Sequence, residues 1–415
     1  MLKFNTIVYV LFILSGVIKS FMFINVLPVD LTLVTAIYCV AVIFYSISTS
    51  KKLQISHIKK PLVILLLFYG WLTFSLIHSP SSDYALQKYI LSYLNLIAFC
   101  FPIFCKFCFK TFTKSVVCIT LILLALFMVF KLTFTYEFMT ANNLKSIYLA
   151  FGVLLGFALI LMRTVEHKFQ LGIILILFFG LIVSSARGPL IFYIFSLLMV
   201  KLFVTKASRN SNKKFKMSYI LIPLIIFILI ITNENALQSA VNLLQGTIIR
   251  FSAFLSSTGG ESVATRLDLY YQAIDMFSDN ILLGNGLGSF GLFVTGTDMK
   301  LYPHNILLEL LSETGVISVL ILSLFLVSLS KKLIHNDIII MISLFALMNM
   351  MKSNSFEELR MFFGFLAVGM LYARELKFIR NEDASQYLFI NNTNCVIFLK
   401  KLSPRTVIRC KRGKE

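Results

Sequence analysis

The sequence contains few charged residues. Only 14% of its 415 residues are Asp, Glu, Lys or Arg, whereas 58% are hydrophobic. Soluble globular domains carry about 25% charged residues, so this composition excludes an ordinary soluble domain. The mean hydropathy of +0.87 indicates an integral membrane protein. Its long apolar stretches predict spanning helices, because the bilayer core offers no hydrogen-bond partner to an open backbone.

Two further absences narrow the possible chemistry. None of the seven cysteines lies in the longest hydrophilic stretch, residues 233–303, which argues against a disulfide framework there. Cys105 and Cys108 form a CxxC pair without a second ligand pair, which is typical of small residues at a helix end rather than of a zinc site. The chain also has no Asp-x-Asp pair to hold a metal on a phosphate. We therefore expect neither a metal site nor a cofactor.

The apolar stretches predict an all-α integral membrane protein with about twelve transmembrane helices and one large extracytoplasmic loop. The N-terminal apolar run has no small-residue cleavage site, so it is predicted to be a retained first helix. The predicted spans are residues 5–25, 30–49, 61–78, 86–105, 115–134, 146–162, 169–185, 188–204, 217–232, 305–330, 337–351 and 358–374. Nine spans thus fall in residues 1–232, a large periplasmic loop in 233–303, three spans in 304–374 and a basic cytoplasmic tail in 375–415.

The net charge of +19 is unevenly distributed. Most Lys and Arg residues between the spans fall in loops that are cytoplasmic if both termini lie inside. This excess of positive charge predicts that orientation. The basic tail then faces the cytoplasmic leaflet of the membrane, whose anionic lipids attract it. No nucleic-acid partner is needed to explain the charge.

The long loop is predicted to carry the function, since loops of this length in compact proteins are usually functional. The glycine-rich stretch ILLGNGLGSFG superficially resembles a dinucleotide fingerprint, but no strand precedes it, so we predict a tight turn between helices. Its backbone amides could bind an anion. Residues 261–280 have apolar side chains spaced by three or four, which predicts an amphipathic helix. These side chains are Val263, Leu267, Tyr270, Ile274 and Phe277.

His304 is the candidate base. It lies between Pro303 and the next span, at the start of a helix, where the positive end of the helix dipole favours the neutral form of the imidazole. A neutral imidazole can take a proton from a hydroxyl. The alternative is a histidine that only caps the helix or anchors it at the interface.

Arginines on the predicted outer side form a candidate anion site. Arg187 lies in a turn between two apolar helices, and a buried Arg costs about 2.5–3.5 kcal/mol on insertion scales unless it reaches water. Arg266 lies on the amphipathic helix, where Asp268 is the alternative partner. Arg250 and Arg360, together with Lys300 and Lys352, complete the set. Several guanidinium groups facing one pocket would suit a diphosphate.

Two acidic residues follow His304. Glu309 and Glu313 are spaced i, i+4 and therefore share one face of the predicted helix. Either carboxylate could orient His304 or bind a sugar hydroxyl of the substrate. The alternative is a charged outer rim without a specific role.

Three segments together resemble a known family. SSARGPLI, ATRLDLYYQAIDMFSDNILLGNGLGSFG and YPHNILLELLSETG, in this order in a multi-span protein, resemble the O-antigen ligase and O-antigen polymerase superfamily. The resemblance implies a fold of the GT-C glycosyltransferase class. It also implies inverting, metal-independent transfer of an undecaprenyl-diphosphate-linked oligosaccharide at the outer face of the cytoplasmic (inner) membrane.

The resemblance also implies roles for particular residues. The mid-chain arginine of the family falls on Arg187, its loop arginine on Arg266 with Arg250 as the substitute, and its histidine on His304. The glycine-rich turn followed by YPHNILLELLSETG looks more like a polymerase, whose acceptor glycan is another lipid-linked repeat unit and whose further partner is a chain-length regulator. A ligase acting on lipid A core, and a lipid-linked sugar transporter, remain the alternatives.

Overall fold

The computed structural model describes residues 2–21, 30–49, 59–133, 145–165, 169–184, 186–203, 261–333, 337–353, 355–381, 387–392 and 395–400. Within these ranges the regular secondary structure consists of helices and one hairpin of two strands. The helices, numbered as described, are α1 Leu2–Phe21, α2 Leu31–Thr49, α3 Lys59–Ile77, α4 Asp83–Phe104, α5 Phe109–Thr133, α6 Lys145–Met162, α7 Gln170–Val183, α8 Arg187–Phe203, α9 Glu261–Asp279, α10 Phe290–Thr295, α11 Ile306–Leu333, α12 Asp337–Ser353 and α13 Arg360–Asn381.

Two short elements complete the described chain. A 3₁₀ turn, Phe356–Glu358, connects α12 to α13. Strands β1 Tyr387–Asn392 and β2 Cys395–Lys400 pair antiparallel within the predicted tail, with Tyr387 opposite Lys400. The sequence predicted an all-α protein, so this hairpin is a difference from that prediction.

The helices have the composition of membrane spans. Six described helices, α1 to α5 and α11, are long and apolar enough to cross a bilayer, and three shorter apolar helices occur at Leu149–Met162, Gln170–Val183 and Arg360–Tyr372. Large apolar side chains such as Ile37 and Phe44 on α2 are mostly exposed, as expected for surfaces that face lipid. A described helix coincides with each predicted span except residues 217–232, which lie outside the described residues.

Aromatic side chains fill much of the core between the helices. Tyr9 of α1 stacks on Phe101 of α4 with ring centroids 4.9 Å apart, and its hydroxyl donates to the carbonyl of Ala98 at 2.7 Å. Phe157 of α6 stacks on Phe365 of α13 at 4.0 Å. These contacts hold the first helices of the chain against the last, so residues far apart in sequence share one core.

Helix α11 is interrupted at Gly315, where the prediction had one continuous span. Gly315 has φ 72° and ψ 179°, a conformation that only glycine adopts readily. A Cβ at this position would lie 2.1 Å from the carbonyl oxygen of Leu282. The backbone of the segment after α9 is hydrogen-bonded to α11 at this point. The amide of Gly286 donates to the carbonyl of Glu313 at 2.8 Å, and the amide of Val316 donates to the carbonyl of Ile281 at 3.0 Å.

Helix α9 confirms the predicted helix but corrects its buried face. The side chains buried against α10 and α11 are Leu269, Ala273 and Met276, whereas Leu267 and Ile274 of the predicted apolar stripe are about half exposed. Arg266 lies one turn before Leu269 and Tyr270, on the same side as the buried row. The helical period was evident from sequence, but both faces of this helix carry apolar residues, so the period did not select the inner one.

Candidate functional site

The first site feature is the backbone corner that carries His304. The side chain of Asn305 caps α11, since its Oδ1 accepts from the amides of Leu307 at 2.9 Å and Leu308 at 3.3 Å. His304 immediately precedes this cap and has φ 55°, the only positive φ of a non-glycine among the described residues. Such a conformation is costly and occurs often at functional sites. The histidine thus lies just before the helix start, as predicted.

An ion-pair group supports this corner from the side. The ring of His304 contacts the ring of Tyr302 edge-on at 4.6 Å. Lys300 pairs with Glu357 at 2.6 Å and with Glu358 at 2.8 Å, which ties the end of the long loop to the 3₁₀ turn. Burial would lower the pKa of the Lys300 ammonium, but the carboxylates of Glu358 and Glu357 outweigh it and raise the pKa above its usual value.

Behind the corner lies a fully buried charge cluster formed by Lys88, Glu309 and Glu313. The Nζ of Lys88 lies 2.5 Å from Oε1 of Glu309 and 2.7 Å from Oε2 of Glu313, and the side chains are about 1% exposed. The amide of Gly288 donates to Oε2 of Glu313 at 2.8 Å. The hydroxyl of Ser355 donates to Oε1 of Glu309 at 2.7 Å. The cluster therefore joins α4, the glycine-rich turn, α11 and the segment before the 3₁₀ turn.

This cluster gives the two glutamates a partner that the sequence did not indicate. They share a face of α11, as their spacing indicated, but both carboxylates are buried and already bind Lys88, and backbone amides also donate to them. The partners described for both carboxylates are Lys88, Ser355 and the backbone amides of Gly288 and Phe356. The anion predicted for the amides of the glycine-rich turn is, at Gly288, the carboxylate of Glu313 itself.

A second feature is a cationic group formed by Arg187, Arg266 and Lys352. These residues belong to α8, α9 and α12, yet the positive charges of both arginines act on the ammonium of Lys352. The Nζ of Lys352 lies over the ring of Phe192, 5.8 Å from its centroid. A Cβ at Gly188 would lie 2.7 Å from that Nζ, so the glycine next to Arg187 leaves room for the lysine. The structure thus brings together two arginines predicted for one site.

The cationic group and the His304 corner are connected by short links. Lys352 and Ser355 are three residues apart, which limits their Cα separation to about 11 Å, and Ser355 bonds Glu309 in the first turn of α11. On the other side, Leu269 lies one turn after Arg266 and packs in one cluster with Leu301 and Leu308. Both links connect elements of the cationic group to the first turns of α11, which follow His304.

Two predicted site residues remain, Arg250 and Arg360. Arg250 is outside the described residues. Arg360, at the start of α13, points to α1: a Cβ at Gly16 would lie 2.6 Å from a guanidinium nitrogen of Arg360. The charges of Glu358 and Asp30 act on it. Its described neighbour is thus α1, whereas Lys352 lies beside Phe192 and Gly188 of α8.

Sequence reasoning missed two lysines. Lys88 was counted only as a charge of an outer loop, although a lysine in the first turns of an apolar helix requires a buried partner or a route to water. Lys352 was included in the wider cationic set without a specific place. Its helix position was readable from sequence, but its neighbours on α8 and α9 were not, because they are about 80 to 160 residues away.

Comparison with known families gives a match to part of the chain. The helices indicate a multi-pass membrane protein. Residues 172–323 match the family model Wzy_C, described as O-antigen ligase, and this stretch includes Arg187, Arg266 and His304. The match supports the O-antigen ligase and polymerase superfamily and suggests an enzyme that acts on lipid-linked glycans. No curated protein matches the chain.

Proposed function

We propose that this protein is a membrane glycosyltransferase of the polymerase type that acts on undecaprenyl-diphosphate-linked glycans. The observation that carries the proposal is the position of Lys352: a Cβ at Gly188, next to Arg187, would lie 2.7 Å from its Nζ, and Tyr270, one turn after Arg266, lines a groove with it. The charges of both arginines also act on its ammonium. Like charges brought together from separate segments favour an anionic ligand, and guanidinium forks match phosphate oxygens. The family match covers Arg187 and Arg266 and supports the same substrate class.

In the proposed reaction, the diphosphate of the donor binds Arg187 and Arg266. His304 accepts the proton of an acceptor sugar hydroxyl, and that oxygen attacks the anomeric carbon from the side opposite the diphosphate. The bond from the anomeric carbon to the phosphate oxygen breaks, and the lipid diphosphate departs with the electron pair. The configuration inverts. Positioning and neutralisation of the departing charge supply most of the rate.

The proposal includes a location. With about twelve spans in a GT-C-type fold and both termini in the cytoplasm, the long loop and the start of α11 face the periplasm from the inner membrane. A lipid-linked donor reaches such a site from the bilayer, and a soluble nucleotide sugar does not. No metal takes part in the proposed reaction, so the cationic side chains neutralise the leaving group.

Transfer by purified protein tests this proposal. The wild type should extend a lipid-linked repeat unit, and His304→Ala should lower the rate by at least about 10²-fold, the usual contribution of a general base. His78→Ala is the matched control, since His78 lies at the end of α3 beside Phe74. Normal transfer by His304→Ala in correctly inserted protein would remove the histidine from the mechanism.

The ligase is the second candidate, and it differs only in its acceptor. A deletion strain separates the two activities. Surface polysaccharide reduced to core capped with a single repeat indicates a missing polymerase. Uncapped core together with accumulated lipid-linked polymer indicates a missing ligase.

A transporter of lipid-linked sugars is the alternative from another class. Transporters place ionisable residues near the membrane midplane and at breaks in helices. Lys19 and Lys131 are the two charges within predicted spans that would fit this alternative. Lys19 pairs with Asp30, just before α2. Lys131, the other such charge, lies outside the residues whose side chains are described. A purified protein that moves lipid-linked glycan across vesicles without joining two glycans would favour the transporter.

A further inference from the structure

The cationic group borders a groove that has no role in the sequence-based predictions. The groove has a volume of about 380 Å³ and lies between α8, α9 and α12. Its lining is apolar except at one end. It is formed by Phe192, Tyr270, Leu347, Met348, Met351 and Lys352. Sites for small ligands occupy roughly 300–1,000 Å³ and combine apolar walls with a few polar groups.

Lys352 is the charged residue of this lining. Its ammonium is held between the Phe192 ring at 5.8 Å and the space left by Gly188, next to Arg187. Arg266 lies one helical turn before Tyr270, which lines the groove. One cation therefore lies in the wall of an apolar groove and two more act on it from beside the groove, which is the arrangement expected for a ligand with an anionic head and a hydrocarbon chain.

We infer that Lys352 is the third cation of the lipid-diphosphate site and that it makes the site prefer a diphosphate over a monophosphate. This inference rests on the proposed function and adds a residue and a specificity to it. Two guanidinium groups suffice to bind one phosphoryl group in a bidentate manner. A second phosphoryl group adds charge and oxygens, and the compact ammonium of Lys352 supplies a further donor beside the first two. The lipid chain enters the groove from the same end.

The geometry favours this role over a purely structural one. A structural lysine at a helix end is expected to reach solvent or pair with a carboxylate, as Lys300 does with Glu357 and Glu358. Among the described residues no carboxylate forms an ion pair with Lys352, and its ammonium lies over the Phe192 ring and beside Gly188 in the wall of the groove.

Direct binding to the full-length protein in phosphatidylcholine nanodiscs tests the inference. The probes are undecaprenyl diphosphate, undecaprenyl phosphate and phosphatidylglycerol, compared for wild type, Lys352→Gln and Lys352→Met. The methionine variant keeps the chain length and suits the apolar neighbours Met348 and Met351. Lys60→Gln, an exposed change of equal charge at the start of α3, is the control.

The wild type should bind the diphosphate more tightly than the monophosphate, and both Lys352 variants should lose about tenfold or more of the diphosphate affinity, as expected for one hydrogen bond to a charged group. Their monophosphate affinity should fall by much less. Equal losses for the two lipids, no loss at all, or the same Lys352 dependence for phosphatidylglycerol would overturn the inference. Selective binding by a protein that transfers no glycan would refute the proposed function and leave this assignment standing.

Discussion

The Nζ of Lys88 lies 2.5 Å from Oε1 of Glu309, and the two side chains are 1% exposed and separated by more than 200 residues. Glu309 is in the first turn of α11, five residues after His304. The pair therefore anchors the helix that follows the candidate base to the start of α4. Because the second carboxylate of the cluster, Glu313, binds the Gly288 amide, the same lysine also holds the glycine-rich turn in place.

Removing this lysine should destabilise the protein strongly. Lys88→Met leaves two buried carboxylates without their cation, a change that typically costs about 3–5 kcal/mol. Thermal unfolding of the purified protein in detergent measures the loss. Lys60→Met is the matched control, because Lys60 is exposed at the start of α3. Equal unfolding temperatures for the two variants would contradict the structural role of the cluster.

Substitution of Gly315 should have a similar effect for a different reason. An alanine there would adopt a backbone conformation that costs about 1–3 kcal/mol, and its Cβ would meet the carbonyl oxygen of Leu282. We expect Gly315→Ala to lower the yield of folded protein and its thermal stability. At Gly70 in α3 a Cβ meets nothing within 4 Å, so Gly70→Ala should be neutral or stabilising. A stable, well-expressed Gly315→Ala protein would show that the kink is not required.

Replacing Arg187 by lysine should not restore full donor use. An ammonium is a point charge, whereas the guanidinium binds two phosphate oxygens at once. Arg187→Lys should therefore raise the KM for the lipid-linked donor, with Arg187→Ala more severely affected, when initial rates of glycan transfer are measured. Arg163→Lys is the control. Arg163 directly follows α6, and its guanidinium contacts the sulfur of Met341 in α12. Wild-type donor use by Arg187→Lys would remove the bidentate contact from the mechanism.

Asp298 should make stability depend on acid pH. Slight burial would raise the pKa of this carboxyl, but hydrogen bonds from the Ser81 hydroxyl and from the amides of Asp83 and Ser82 outweigh it and lower the pKa below its ordinary value of 3.8. A lowered pKa stabilises the folded state above pH 3.8, and this contribution is lost as the pH falls through the folded value.

The measurement is thermal unfolding of wild type and Asp298→Asn over a series of pH values. The asparagine variant should be less stable near neutral pH, and its difference from wild type should shrink in acid. A constant difference at all pH values would show that the charge of Asp298 does not contribute. Asp275→Asn, an exposed residue of α9 that lacks these contacts, controls for the loss of one charge.

Much of the secondary structure was predictable from local patterns. The spans around α1 to α8 and α11 to α13 follow from apolar runs, and the turn at the glycine-rich segment follows from its composition. The buried face of α9 was not predictable, since Leu267 and Ile274 are as apolar as Leu269 and Met276. The kink at Gly315 was also missed, because its cause is the backbone of residues 281–286 rather than anything within α11.

The candidate site was predictable only as a set of residue types. The sequence indicated Arg187, Arg266 and His304 through their order and their predicted side of the membrane, and the structure places the two arginines around Lys352. It could not indicate that Glu309 and Glu313 serve Lys88. Two acids in the first turns of an apolar helix suit a substrate, a solvated rim or a buried lysine equally well, and only the packing of α4 against this region shows the buried lysine.

The sequence by itself determined that this protein is a bundle of apolar helices in a membrane, because burial in lipid depends on the local density of apolar side chains. Only the tertiary structure decided which charged groups interact. Lys88 forms ion pairs with Glu309 and Glu313, and the charges of Arg187 and Arg266 act on Lys352. Charge pairing in a low-dielectric interior depends on distances of a few ångströms between segments far apart in the chain, and no local pattern encodes those distances.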